Sequence, residues 1–349
     1  MSEPTALAVA RRPVGLVRVT GSERLAFLHT LLSQHVADLT AGQVRDFLFL
    51  DAKGGARAAG RLVARDDDVL LAVAPEAAEG LAETLANSTF LMDAGAEALG
   101  GWTLASARGP ADAAASAPDA AATPDAAATP DAATTPDGAA LPASDAAVPP
   151  PAPALPALDG ASSGGAPDEP MTAALEGDLA VIRDRRGGVD WLGPDAAVAA
   201  AVEASGLAEA DPAALEAWRI AASEPGWGSE IAAGRRTQEL GLLPTHVHLD
   251  KGCYPGQESI AKTYNLGRPR RALCVVDFAV PVEAGATVTA GDKTGEVTSA
   301  AATDAGAVAL CLLPLDRDGA VRGGGTVTVD GVDGRVRRRV GEGEPIPGA

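Results

Sequence analysis

The sequence predicts an α+β protein with a C-terminal antiparallel β-barrel or sandwich and one low-complexity interruption. Three observations predict this class. Strand-like and helix-like runs mix without the regular alternation of a βαβ fold, short β-rich runs fill the chain from residue 271 onward, and a proline repeat interrupts the first region. The chain has 349 residues, 46% of them hydrophobic, which is enough for more than one core.

The first region, residues 1–109, is predicted to contain strands and two helices. Ser22 is the predicted N-cap of the first helix, whose leucines share one face, and the second helix is predicted from Pro75 to Ala86. Apolar patterning predicts four strands, in VGLVRVTG (14–21), VRDFLFLDAKGG (44–55), AGRLVARDDD (59–68) and VLLAVAP (69–75).

Residues 110–170 are predicted to form a disordered insertion. Prolines recur in it every six residues, at Pro118, Pro124, Pro130 and Pro136. The segment lacks the large apolar side chains that would offset its ordering entropy. GWTLASA (101–107) before it predicts a strand, and DLAVIRD (178–184) with GVDWLG (188–193) after it predicts a hairpin that needs a sheet. We therefore expect an insertion at a loop tip of one domain.

Charge and composition constrain the partners only weakly. The formal net charge is −19 at pH 7, but nine acidic and no basic residues lie within 110–170, so the remainder carries about half of it. No run approaches the ~18 apolar residues of a membrane span, and Glu3 precedes Arg11 and Arg12, unlike a signal peptide. We expect a cytoplasmic monomer that contacts neither membrane nor nucleic acid directly.

Residues 171–270 are predicted to continue the first region, and residues 271–349 to form the barrel. The continuation contains two predicted helices, in PDAAVAAAVEASG (194–206) and PAALEAWRIAASEPG (212–226). Cys274 and Cys311 fall within β-rich runs and are predicted core residues, because three scattered cysteines are too few for a disulfide framework. The six runs are RALCVVDFAV, ATVTA, TGEVTSA, AVALCLLPL, GTVTVD and GRVRRRV.

KGCYPGQE, residues 251–258, carries the densest chemistry in the chain. It follows a predicted strand, THVHL (245–249), and precedes a predicted helix, QESIAKTYN (257–265). Gly252 and Gly256 permit a positive φ or a close backbone approach. Such a turn presents N–H groups at a helix start, which suits an anion or a polar heterocycle, and with Lys251 it would favour the thiolate form of Cys253.

Spacing alone leaves three roles open for Cys253: a reactive thiol, a metal ligand, or a filler in a structural turn. The metal hypothesis adds His246 and His248, which would share one face of a strand. No fourth ligand is evident, since the other histidines are His29 and His35. We expect His246 and His248 to be hydrogen-bonding residues of the loop.

Basic residues concentrate on both sides of this stretch. Arginine binds carboxylates in a bidentate manner, so the cluster could receive a carboxylate tail, or it could be a solvated surface. Its members are Arg235, Arg236, Lys262, Arg268, Arg270 and Arg271.

KGCYPGQE resembles the K-G-C-[FY]-x-G-Q-E signature of the YgfZ family of folate-binding proteins, which are relatives of the glycine-cleavage T-protein, an aminomethyltransferase. RLAFLHTLLSQHVADLTAGQ, WRIAASEPGWGSEI and GRPRRALCVVDF are similar to further parts of that family, whereas residues 110–170 have no counterpart. The matching positions are Lys251, Gly252, Cys253, Tyr254, Gly256, Gln257 and Glu258.

The resemblance implies a T-protein-like, three-domain ring with a central site for tetrahydrofolate. It implies a role in the assembly or repair of iron–sulfur enzymes, including tRNA-modifying ones, with these enzymes or their assembly factors as partners. It also implies a functional thiol at Cys253 and folate contacts from Lys251, Gly252, Tyr254, Gly256, Gln257, Glu258 and Arg268.

The same resemblance exposes departures from T-protein. The T-protein pattern G-G-x-x-D-D-L corresponds to GGARAAGRL, so Ala58 and Ala59 stand where the carboxylates would be. Alanine cannot accept a proton, so we expect folate binding without classical aminomethyl transfer. Ala221 stands where relatives often have a pterin-contacting Glu, so we expect folate binding either to be weaker or to use another acceptor such as Glu224.

Two alternatives remain open. A folate-dependent one-carbon transferase or demethylase would need another carboxylate in the central site, such as Asp51 or Asp66. A non-catalytic scaffold would use the acidic Pro/Ala insertion for protein contacts.

Overall fold

The computed structural model describes residues 7–109, 171–231, 235–266 and 269–348. The predicted disordered insertion and Arg268 lie outside these residues. Within them the chain forms 17 strands and six helices, and no helix there is both long and apolar enough to cross a membrane. The helices are α1 (Arg24–Leu31), α2 (Pro75–Ala86), α3 (Asp195–Ser205), α4 (Pro212–Ala221), α5 (Leu243–His246) and α6 (Gln257–Leu266).

Eleven strands form one large sheet in the order β11-β1-β7-β10-β9-β8-β3-β4-β5-β2-β6. Their bounds are β1 (Ala8–Pro13), β2 (Gly15–Thr20), β3 (Gln43–Leu50), β4 (Ala56–Ala64), β5 (Asp68–Val73), β6 (Gly95–Leu99), β7 (Trp102–Arg108), β8 (Met171–Glu176), β9 (Leu179–Arg183), β10 (Val189–Pro194) and β11 (Ala208–Glu209). The predicted strand before residue 110 is β7, and the predicted hairpin is β9–β10. These strands are neighbours, because β10 pairs with both β7 and β9.

The six β-rich runs after residue 271 form a closed antiparallel barrel in the order β12-β15-β14-β13-β16-β17. The prediction of a C-terminal barrel is therefore confirmed. The strands are β12 (Arg271–Phe278), β13 (Thr287–Ala290), β14 (Lys293–Thr303), β15 (Gly306–Pro314), β16 (Thr326–Val329) and β17 (Val332–Arg339). Cys274 lies opposite Cys311 on the paired strands β12 and β15. Both thiols are buried, as predicted, and burial raises the pKa of Cys274 to about 12.

The barrel and the large sheet share a hydrophobic core because β12 and β15 bury both of their faces. Leu273 and Val275 of β12 pack with Leu48 of β3 and Ile220 of α4, whereas the alternate residues of β12, such as Cys274, fill the barrel interior. Helix α4 packs on β14 and β15. This helix therefore links the barrel to the sheet, which matters for the site described below.

Two local predictions are wrong. Ser22 does not cap α1: the N-cap is Glu23, and the Ser22 hydroxyl bonds instead to the Asp93 carboxylate at 2.7 Å. The stretch 245–249 is no strand, because α5 runs from Leu243 to His246. Pro244 occupies the first turn of α5, where its missing N–H costs nothing, whereas a strand ladder would lose that donor.

Candidate functional site

A cavity of about 370 Å³ lies where the middle of the large sheet meets the segment after α4. This volume is within the usual range for small-molecule sites. Its apolar lining includes Val14, Val73, Leu104, Leu192 and Trp227. Its polar lining is Arg12, Asp46, Arg61, Glu76, Arg186, Asp190, Arg219, Glu224 and His246.

Arg61 on β4 is the centre of a buried ionic network in the cavity wall. Its guanidinium contacts Asp184 at 2.6 Å, Asp190 at 2.6 Å and Asp46 at 3.1 Å. Burial opposes the charged form of Arg61, but these carboxylates raise its pKa well above its usual value. Burial likewise opposes the Asp46 carboxylate, yet Arg61 foremost lowers its pKa to about 2. The network is therefore ionised at neutral pH, and Arg61 engages all three of its carboxylates.

Arg108 on β7 also belongs to this network, because β7 pairs with β10, the strand that carries Asp190. It lies 2.7 Å from Asp190 and 3.5 Å from Asp184, and its guanidinium stacks over the Trp218 ring at 4.6 Å. Two arginines thus share Asp184 and Asp190, which leaves neither carboxylate as a free proton acceptor.

Ala59 and Gly60 of β4 lie directly in the cavity wall. Ala58 points to the opposite face and is buried in the core under α1 and α2. The position where the family resemblance calls for a catalytic carboxylate is therefore at the cavity, and it carries a methyl group.

Glu224 and Arg12 form the polar pair on the other side of the cavity. Glu224 Oε1 lies 3.6 Å from Arg12 Nη1. Glu224 Oε2 and Arg12 Nε are buried and have no hydrogen-bond partner among the described residues. Buried polar groups are rarely left unsatisfied. The pair therefore offers a charged acceptor and a donor to a ligand in the cavity.

His246 also lines the cavity, from α5. Its Nδ1 lies 2.7 Å from the Thr245 hydroxyl. Burial lowers the pKa of His246 to about 4; Asp46 opposes this shift, and Arg186 is the strongest of the nearby cations that add to it. The imidazole is therefore neutral at pH 7, contrary to a role as a cationic contact for an anion.

The KGCYPGQE stretch lies elsewhere, between the end of α1 and the β3–β4 turn. Lys251 Nζ donates to the carbonyl oxygens of His29 and Leu32 at the C-terminus of α1, and it lies 4.8 Å from the centre of the Tyr254 ring. Tyr254 is buried in the core that the sheet shares with the barrel. Burial lowers the pKa of Lys251 to about 8. These two residues anchor the turn.

Gly256 makes the closest approach of the turn to the sheet. Its φ is +81°, and a Cβ there would lie 2.5 Å from the carbonyl oxygen of Asp51 and 2.9 Å from Cα of Gly54. Gln257 begins α6 as predicted and accepts from the Tyr254 N–H at 3.4 Å. Cys253, Gly252 and Glu258 are exposed.

The described lining of the central cavity includes no residue of the 251–258 turn. Asp51 and Asp66, the carboxylates considered for an active transferase, do not line it either. Asp51 Oδ1 closes its own turn by accepting from the N–H groups of Lys53 at 2.8 Å and Gly55 at 2.9 Å. The carbonyl oxygen of Asp66 accepts from Arg24. The cavity and the motif turn are therefore two separate features.

Two arginines of the basic cluster form ion pairs with glutamates. Arg235 binds Glu296 at 2.8 Å and Arg271 binds Glu239 at 3.0 Å, whereas Lys262 and Arg270 are exposed. Among the described residues no group of three or more His, Cys, Asp and Glu could hold a metal ion. The shared strand face proposed for His246 and His248 does not exist, because α5 ends at His246 and the His248 ring packs against His35 with a centroid distance of 5.4 Å.

Known proteins share this architecture. A solved structure of the glycine cleavage system aminomethyltransferase T from Bartonella henselae superposes with a TM-score of 0.67 at 18% sequence identity, covering 95% of this chain and 86% of that one. The chain has an aminomethyltransferase T fold. A stretch of 87 residues is 36% identical to a chloroplastic protein of Arabidopsis thaliana named as a putative transferase; it spans 25% of this chain and only 20% of that protein. No family model matches the sequence.

The T-protein-like fold predicted from the sequence is thus confirmed, whereas the folate contacts assigned to the 251–258 turn stay predictions. Sequence reasoning missed the ionic wall of the cavity. The sequence does contain a signal for this ionic wall. Asp46 directly precedes the apolar run FLFL, and Asp184 and Asp190 lie on either side of the RRGG turn. Charged residues inside buried strands call for partners of opposite charge.

Proposed function

We propose that the protein binds tetrahydrofolate in the central cavity and supports iron–sulfur enzymes without classical aminomethyl transfer. The observation that carries the proposal is the wall itself: a buried carboxylate oxygen of Glu224 lacks a partner among the described residues, while Ala59 stands in place of a catalytic carboxylate. The aminomethyltransferase T fold supports the ligand class.

The residues present fit a reduced folate. A pterin ring carries several N–H donors on a flat heterocycle, so a charged acceptor beside apolar and aromatic side chains suits it. Glu224 supplies the acceptor, and Trp227, Leu104 and Leu192 line the slot. Arg12 and Arg186 supply positive charge for a carboxylate. When bound, tetrahydrofolate would supply a carrier of one-carbon groups.

The same wall argues against turnover as in T-protein. Ala59 cannot accept a proton, and Asp46 Oδ1 and both Asp190 oxygens are ion-paired with Arg61 and Arg108, whereas Asp46 Oδ2 has no hydrogen-bond partner among the described residues. A general base must be free to take a proton from the ligand. The position of the T-protein carboxylate therefore offers no general base, and we assign the unpartnered Glu224 oxygen to the pterin as a hydrogen-bond acceptor. The iron–sulfur role and its clients, tRNA-modifying enzymes among them, rest on the resemblance of KGCYPGQE to the YgfZ family.

Calorimetry with tetrahydrofolate tests the ligand. We expect binding to the wild type and roughly tenfold to hundredfold weaker binding to Glu224→Gln, because a hydrogen bond to a charged acceptor contributes about 1.5–3 kcal/mol. Glu209→Gln is the matched control, since Glu209 is exposed on β11 and outside the cavity lining. No heat from the wild type at near-millimolar ligand would overturn the folate assignment.

A further inference from the structure

Helix α4 ends in a Schellman motif with a serine where glycine is the usual residue. The N–H of Glu224 bonds to the carbonyl of Arg219 at 3.0 Å, and the N–H of Ser223 bonds to that of Ile220 at 3.0 Å. Ser223 therefore has a φ of +63°. Such a conformation is strained for a residue with a Cβ and persists where the surroundings hold it.

The barrel supplies what holds Ser223. Arg338 Nε donates to the Ser223 hydroxyl at 2.8 Å, and Arg338 Nη2 donates to the carbonyl oxygen of Ala221 at the helix end. A cation is favourable at a helix C-terminus, where the last carbonyl groups lack partners. Glycine at position 223 would relieve the strain but would remove the hydroxyl that Arg338 binds.

A β-bulge aims Arg338 at this helix end. On β17, Arg338 pairs with Val275 and Val336 pairs with Val276, so Arg337 is the extra residue of the bulge. Bulges re-aim side chains in this way. Arg337 points elsewhere and pairs with Asp277.

The segment that follows α4 forms a wall of the cavity. We call residues 222–231 the wall segment; it contributes Glu224, Trp227 and Ile231 to the lining. Its far end is tied to the barrel as well, because the buried Glu230 accepts from the Ser299 hydroxyl of β14 at 2.7 Å. The other oxygen of Glu230 accepts from the Gly226 N–H at 2.7 Å. Residues of the barrel therefore form hydrogen bonds with the wall segment near both of its ends.

We propose that Arg338 and Ser223 are positioning residues: they form a clasp through which the C-terminal barrel holds the Glu224 wall against the cavity. This inference rests on the proposed function for its ligand, but the clasp itself is a property of the protein without ligand. Glu224 follows Ser223 directly, so its carboxylate shifts whenever the helix end is released. Ligand affinity is thereby coupled to a contact made outside the cavity lining.

Hydrogen exchange of the wall segment tests the clasp without any ligand. Seven amides report on it, because the N–H groups of Ala222, Ser223, Glu224, Gly226, Gly228, Glu230 and Ile231 are all hydrogen-bonded. Arg338→Met should raise their exchange rates roughly tenfold, since release of the helix end opens these bonds. The matched control is Arg337→Met on the same strand, which should leave them unchanged. Unchanged exchange in Arg338→Met would overturn the clasp.

A second variant separates positioning from general stability. Ser223→Gly keeps the left-handed backbone and relieves its strain, so its melting temperature should equal or exceed that of the wild type, while wall-segment exchange still rises. A rise in melting temperature with unchanged exchange would contradict the proposal. Arg338→Lys, which keeps the charge at the helix end, should restore part of the protection.

Tetrahydrofolate affinity completes the test. We expect Arg338→Met and Ser223→Gly to weaken binding roughly tenfold, with the Arg337→Met control at the wild-type value. If the wild type binds no folate, the proposed function fails while the exchange result still decides the clasp. If the wild type binds and all variants bind equally, the clasp does not position Glu224.

Discussion

Cys253 is exposed although its neighbours in the 251–258 turn are anchored. Lys251 donates to the carbonyl groups of His29 and Leu32 at the end of α1, Tyr254 is buried, and the backbone of Gly256 approaches the carbonyl of Asp51 closely. A thiol at the surface of a rigid turn is accessible to a partner without rearrangement of the fold. At the scale of single residues, Cys253 is therefore an exposed thiol that lies outside the described cavity lining.

This placement leads to a prediction for Cys253→Ala. We expect the variant to keep the wild-type melting temperature and tetrahydrofolate affinity, because exposed side chains contribute within about 0.5 kcal/mol and Cys253 is outside the cavity lining. Under the proposed function, it should fail to restore iron–sulfur enzyme activity in a strain that lacks this protein. Cys274→Ala is the control: it removes a buried thiol, should destabilise the barrel, and should retain rescue at permissive temperature. Full rescue by Cys253→Ala would reduce Cys253 to a structural turn residue.

At the scale of secondary-structure elements, one arginine joins four strands. Arg61 of β4 contacts Asp46 of β3, Asp190 of β10 and Asp184, which directly follows β9. These strands come from both sides of residues 110–170, so the wall forms only when the two parts of the sheet are assembled. His246 packs beside this network from α5 and remains neutral there.

A pH-dependent loss of stability follows from His246. Its pKa falls from an ordinary 6.5 to about 4 in the folded protein, chiefly through burial. As the pH falls from about 6.5 to 4, the imidazole binds a proton in the unfolded chain but not in the folded protein. The free energy of unfolding therefore declines by up to about 3 kcal/mol. His29, lowered to about 4 chiefly by burial, adds to the same slope.

Urea unfolding of wild type and His246→Gln at pH 7 and pH 4.5 measures this contribution. The variant should lose less stability than the wild type between the two values, because it lacks the buried imidazole. Above pH 8 the imidazole is neutral in both the folded and the unfolded chain, so the two proteins should show the same change in stability between pH 8 and pH 9. An equal loss of stability in both proteins at pH 4.5 would show that His246 is protonated in the folded state.

Elements governed by local patterning were predictable, and contacts set by sheet order were not. The six barrel strands are short β-rich runs separated by Gly and Asp turns, and this local pattern predicts all six. The contact of Arg61 with Asp190 joins residues 129 positions apart, and no periodicity encodes it. The wrong prediction at 245–249 has a local cause: THVHL alternates like a strand, but Pro244 directly before it favours the first turn of a helix.

At the scale of the whole molecule, the strands before and after residues 110–170 belong to one continuous sheet. Pairing of β7 with β10, β10 with β9, and β9 with β8 is antiparallel at each step. β7 and β8 are therefore antiparallel to each other. The C-terminal end of β7 and the N-terminal end of β8 consequently lie on the same side of the sheet, where the strands end. Three strand spacings separate them, or about 14 Å.

This geometry predicts that residues 112–168 can be deleted without loss of the fold. The deletion leaves 109–111 and 169–170 between Arg108 and Met171, and an extended linker of that length reaches about 20 Å. A shorter connection costs less closure entropy, so stability should stay equal or rise by up to about 2 kcal/mol. Urea unfolding and tetrahydrofolate calorimetry measure both properties. Retained rescue of iron–sulfur enzyme activity would make the insertion dispensable, whereas lost rescue with intact stability and folate binding would assign it the scaffold role.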